Sequence, residues 1–157
     1  MSTSKKAFTM IEMIFVIVIL GILSSVAISK MAVTRDDAII SKGRSEVAAI
    51  RNAISLKRNS NILMGKGASY PSKLDALGSA TSSDGDSLFD HDTNSSDSQA
   101  QLLDYPIYSK SKNGWRKIES NKYVFNAIST DVNFTYNPNT GSFDCTHTVK
   151  LCKDLTE

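Results

Sequence analysis

The sequence predicts an α+β chain: one long N-terminal helix, membrane-spanning in its first half and amphipathic in its second, packed on a small C-terminal antiparallel β-sheet. Three observations carry this prediction. Residues 8–28 form an apolar run with a single formal charge, Glu12. Beyond it, Ile40, Gly43, Val47, Ile50 and Ile54 recur at spacings of three and four, one stripe along a helix. From residue 105 onward the period shortens to alternation broken by turn signals, the pattern of half-buried strands.

The N-terminus has its own logic. Residues 1–7 are short, polar and basic, and Lys5 and Lys6 account for the whole formal excess of +2. Such a segment resembles the cytoplasmic leader of an exported or membrane-inserted protein. As a helix, the 21 residues of 8–28 span about 31 Å, enough for a bilayer core. A carboxylate in that setting is expensive unless it is paired or held at the interface. Glu12, near the start of the run, therefore needs a reason.

No proline interrupts residues 8–62, so the helix is expected to continue through an amphipathic half, 29–62. Arg35, Lys42, Arg44, Arg51, Lys57 and Arg58 lie mostly off the apolar stripe, which reads as a face packed on the chain's own domain rather than a coiled coil. Asn59, Ser60 and Asn61, followed by Gly65 and Gly67, end it. A globular part, 63–157, follows. Pro71 is expected to open a short helix carrying Leu74 and Leu77 on one side. Residues 78–101 read as a long acidic surface loop with little to bury: seven Asp and no Lys or Arg fall between Leu74 and Ser109.

The strand signals run from about 105 to 148. Pro106 suits an edge strand; Asn113-Gly114 signals a hairpin before Trp115; Tyr123–Ile128 has the best strand composition; and Val132, Phe134 and Tyr136 alternate with polar residues. A turn at Asn137–Gly141 leads into a last strand ending near Cys145.

Composition narrows the function. With 18 Lys and Arg against 16 Asp and Glu, no global field points to nucleic acid as the main partner. The two histidines, His91 and His147, sit in no catalytic pattern, and no nucleophile elbow, phosphate loop or zinc-protease motif occurs. An enzyme is not expected. Asp90, Asp92 and Asn94 match the first three ligand positions of an EF-hand loop, but Ser95 stands where Gly is required and Gln101 where the bidentate Glu belongs. A solvated acidic loop is preferred, with Asp84, Asp86, Asp90 and Asp92 the candidates should calcium bind. Cys145, His147 and Cys152 offer three zinc ligands without an evident fourth, or the even cysteine pair forms a disulfide in an oxidising compartment. The basic stretch 110–117 offers a DNA contact around Trp115, or a charged hairpin face with Trp115 packed inward, the commoner arrangement.

Taken together, Lys5-Lys6, then Phe8-Thr9-Met10-Ile11-Glu12 and the uninterrupted apolar run resemble the type IV pilin-like proteins, and in particular the pseudopilins of type II secretion or competence systems. The resemblance implies cleavage by a prepilin peptidase at Ala7–Phe8, with methylation of the new Phe8 amine, although Ala7 stands where the family normally has Gly. It places Glu12 fifth in the mature chain, where the acid pairs with a neighbour's amine and sets register. It implies a disulfide between Cys145 and Cys152, and a short segment after the long helix like Tyr70-Pro71 with Leu74 and Leu77. The family's frequent proline about fifteen residues after the acid is missing, which leaves Gly21, Ser24 and Ser25 as the weak point of the helix. The partners implied are other pseudopilins in a homo- or hetero-polymer, the peptidase, an inner-membrane assembly platform and the membrane itself, with DNA only in a competence system. The implied location is a single pass of the bacterial inner membrane with the C-terminal part in the periplasm. The competing reading is a secreted or membrane-anchored binding protein whose conventional signal peptide is cut after Ala27.

Overall fold

The computed structural model describes residues 8–77, 81–90 and 102–157. The leader residues 1–7, and with them Ala7, lie outside the described residues, as do His91, Asp92, Asn94, Ser95 and Gln101. The chain divides into two compact units, residues 1–37 and 38–157.

Helix α1 runs unbroken over Met10–Leu63. It passes through Gly21, Ser24 and Ser25 without interruption, and the Ser25 hydroxyl donates back to the Ile22 carbonyl at 2.8 Å. Its end is a Schellman arrangement: Lys66 N–H bonds the Asn61 carbonyl at 2.9 Å and Gly65 N–H bonds that of Ile62 at 3.0 Å. Gly65 takes φ +71°, a left-handed conformation that glycine adopts without Cβ strain.

In the second unit a four-stranded antiparallel meander is formed by β3 (Gly114–Glu119), β4 (Lys122–Ala127), β5 (Thr130–Asn137) and β6 (Ser142–Cys145), in that order, while β1 (Ser87–Leu88) and β2 (Ile107–Tyr108) make a separate two-stranded sheet. A short helix α2, Lys150–Thr156, closes the chain. Alternation does what it predicts in β5, where Val132, Phe134 and Tyr136 are buried and their neighbours exposed. Val47, Ile50 and Ile54 of α1 are buried in the same core, with Ile39 packed at its margin. Gly43 is present for contact rather than flexibility. A Cβ there would meet the Phe125 ring at 2.6 Å and the Leu155 side chain at 2.7 Å. Aromatic rings fill the centre: Phe134 stacks on Phe143 at 5.2 Å between centroids, and Phe89 meets Trp115 edge-on at 5.6 Å.

Four expectations need correction. Residues 71–77 are turns and bends, not a short helix. The Asp75 carboxylate takes the Leu77 N–H at 2.9 Å, a local bond that competes with a helical one. The stretch 78–101 is not simply a loop with little to bury: β1 lies in it, and Leu88 and Phe89 are both fully buried. Two adjacent apolar residues among many aspartates are invisible to composition, yet they fill the core. Asn113-Gly114 does not join paired strands, since β2 and β3 belong to different sheets; the turn is closed by Lys110 N–H on the Trp115 carbonyl at 2.8 Å. Finally, α2 follows the sheet where no element was expected, anchored by buried Cys152 and Leu155.

Candidate functional site

The start of α1 is built by four residues. Phe8 and Thr9 precede the helix, and Met10 is its first residue. Thr9 and Glu12 then cap it reciprocally. Glu12 N–H donates to the Thr9 hydroxyl at 3.4 Å, and Thr9 N–H donates to the Glu12 carboxylate at 3.4 Å. This is a capping box, in which two amides that a helix start leaves unbonded find side-chain acceptors. The spacing Thr-x-x-Glu in the sequence is the signal for this box, a role for Glu12 beyond its charge. The carboxylate also lies in the first turn, where the helix dipole favours a negative group.

From Phe8 to Ile28 every residue is exposed, including fifteen large apolar side chains such as Met10 and Ile11. The segment Met10–Ile28 is long and apolar enough to cross a membrane, and none of it is covered within this chain. Apolar surface on this scale calls for lipid or other protein around it.

The other predicted residues fall elsewhere. Cys145 and Cys152 form the disulfide, with Cα atoms 5.9 Å apart. The thiols are therefore occupied, and in this form of the chain the zinc reading has no free thiolate. Among the described residues, Asp84, Asp86 and Asp90 are not brought together as a group of close donors. Asp84 accepts Ser111 N–H at 2.8 Å, Asp86 accepts Ser83 N–H at 2.7 Å, and Asp90 bonds the Ser87 hydroxyl. Among the described residues, the group of three potential ligands whose donor atoms lie close together is instead Asp144, His147 and Cys152. Asp92, the fourth calcium candidate, lies outside the described residues.

The basic stretch 110–117 is taken apart by the fold. Trp115 is fully buried, and its indole N–H donates to Glu46 at 3.1 Å. Arg116 pairs with Asp131 at 3.1 Å. Lys117, expected on a charged face, is buried against Asp75 at 2.6 Å. Tyr123 donates its hydroxyl to the other oxygen of the same carboxylate. Burial first, and the Asp75 charge second, hold the Tyr123 phenol far above its ordinary value of 10, so it remains a donor. No aromatic platform for bases is left at this stretch.

Comparison with known proteins adds one result. Residues 2–28 match the family model for the prokaryotic N-terminal methylation motif. No curated protein and no solved structure matches the chain. The matched span contains the Ala7–Phe8 bond, the capping box and the exposed apolar helix. It supports a type IV pilin-like structural subunit, and with one apolar N-terminal helix it points to single-pass membrane anchoring. The motif implies processing by a prepilin peptidase and polymerisation.

Proposed function

We propose that the chain is a structural subunit of a type II secretion pseudopilus or of a related type IV pilus or competence fibre. It assembles through its N-terminal helix to drive protein secretion or DNA uptake. The observation that carries this is the position of Glu12: fifth from Phe8 inside the matched motif, in the first turn of a helix whose apolar side chains from Met10 to Ile28 are all exposed.

The geometry suggests how the acid serves. Cleavage at Ala7–Phe8 creates an amine at Phe8, which is positive near neutral pH. Before assembly, the Glu12 carboxylate is held by its own Thr9 amide, so a charge at the membrane boundary has a partner. A carboxylate has about four acceptor positions, and the capping bond uses one. In a staggered stack the remaining positions take the Phe8 amine of a neighbour. Two charges are then neutralised in apolar surroundings, and only one axial offset allows it. The subunit sits in the bacterial inner membrane with its C-terminal part in the periplasm, and an inner-membrane platform extracts it into the fibre.

Mass spectrometry of the mature N-terminus tests the assignment. The expected product begins with N-methyl-Phe8, whereas a chain beginning at Ile28 establishes a conventional signal peptide and removes the proposal. Glu12→Gln keeps the side chain's length and an acceptor for Thr9 but removes the charge. It is expected to reduce fibre yield at least tenfold, and fibres formed at the wild-type level would show that Glu12 does not set register.

A further inference from the structure

The corner that joins β6 to α2 brings together four groups of zinc-ligand type. Asp144 and Cys145 end β6, His147 lies in the connection, and Cys152 sits in α2. One donor atom each from Asp144, His147 and Cys152 lie within 4.8 Å of one another, and Cys145 is bonded to Cys152. The His147 Nε2 is 3.2 Å from the Asp144 carboxylate. Donors around a tetrahedral zinc, at roughly 2.0–2.3 Å from the ion, lie about 3–4 Å from each other, so on reduction the two sulfurs must part by about 1–2 Å while the Asp144 and His147 donors already stand close by. Arg51 bonds Asp144 at 3.0 Å, the kind of outer contact that orients a carboxylate ligand. Cys152 is buried, whereas Asp144 and His147 are exposed and leave the corner open to an ion.

We propose that Cys145, Cys152, His147 and Asp144 form a zinc site whenever the two cysteines are thiols. The corner is then closed by a metal ion or by the disulfide, never by both. Binding replaces two thiol protons with two zinc–thiolate bonds and releases the protons. Closure to the disulfide passes two electrons from the two thiolates to the disulfide of an exchange oxidant, whose two sulfurs leave as thiolates and take protons from solvent, and the metal is released. The sequence offered three of these ligands; the fold supplies Asp144 as the fourth by setting it beside the His147 ring. Zinc thereby holds the end of β6 and α2 together before oxidation, using the same two sulfurs.

Cobalt(II) is the probe, added to the full chain in detergent micelles after reduction under anaerobic conditions. The expected result is one cobalt per chain. It should show thiolate-to-cobalt charge transfer in the near ultraviolet and the intense visible absorption of tetrahedral cobalt, both lost when zinc is added. The oxidised chain should show neither band. His147→Ala and Asp144→Asn keep the disulfide and so report on folding separately; each is expected to weaken cobalt binding at least tenfold in the reduced chain. Absence of the charge-transfer band in the reduced wild type overturns the proposal. Full affinity in both variants, or equal binding by the oxidised chain, overturns it as well.

Discussion

The side chains of Lys117 and Asp75 are each at most 1% exposed, and they meet at 2.6 Å. Neither charge has water to turn to. Asp75 is held further by the Tyr123 hydroxyl and the Leu77 amide, so the pair is well bonded on the acid side. A buried pair contributes little net stability relative to apolar packing, yet removing one partner leaves the other charged and stranded. Lys117→Met is therefore expected to destabilise the protein by about 3–5 kcal/mol. Adding Asp75→Leu should restore most of that loss, because the uncompensated carboxylate is gone. Chemical denaturation of the full chain in detergent measures both, and a single-variant loss below about 1 kcal/mol would show that the pair is not coupled as described. This pair was not legible in the sequence. Its members are 42 positions apart, and Lys117 stands among Lys110, Lys112 and Arg116, where a solvated face is the natural reading. Burial of a lysine follows from strand pairing and a distant turn, which no local pattern encodes.

Elements were more legible, and where they were not, a side chain overrode the local pattern. The alternation in β5 and the stripe in α1 gave face as well as type, since each period fits one backbone geometry. The turn between β4 and β5 is the opposite case. Ala127 pairs with Thr130, leaving a two-residue connection of Ile128 and Ser129 with φ of +52° and +63°. Tight hairpins favour this conformation because its twist matches the strands, but they favour Asn-Gly in it. A β-branched residue there is strained by roughly 1–2 kcal/mol. Asn113 offers the Ile128 N–H an acceptor at 3.4 Å, a long bond and weak compensation. Replacing Ile128-Ser129 by Asn-Gly is thus expected to stabilise the protein by about 1 kcal/mol, visible as a raised denaturation midpoint with unchanged slope. An unchanged or lowered midpoint would mean that the Ile128 side chain contributes packing that outweighs the backbone strain. Such a turn cannot be read from composition, because Tyr123–Ile128 looks like uninterrupted strand and only the register reveals where pairing must reverse.

At the scale of the whole chain, the two units differ in what holds them. Every member of the hydrophobic core cluster lies at or beyond Ile39, within the unit 38–157. That cluster joins side chains from α1, the β1 segment, all four strands of the meander and α2, and the disulfide ties its last element down. Unit 1–37 has no counterpart, for its described apolar residues are exposed and its order rests on helical hydrogen bonds and on whatever surrounds it. The difference was visible in the sequence as a change of period, from a run apolar all round to a one-sided stripe. A domain with its own core folds as a unit. A chain beginning at residue 38 is therefore expected to be monomeric in water without detergent, with one cooperative thermal transition and a near-ultraviolet circular dichroism signal from packed Trp115. The core's aromatic rings make that signal a sensitive reporter, since it vanishes when secondary structure persists without fixed packing. A fragment with helical far-ultraviolet signal but no near-ultraviolet signal, or with no cooperative melt, would show that residues before 38 are needed for the core to order. If the fragment folds as expected, the apolar helix is free of any structural duty to the core. Substitutions in it, Glu12→Gln among them, can then be read as effects on anchoring and assembly rather than on folding.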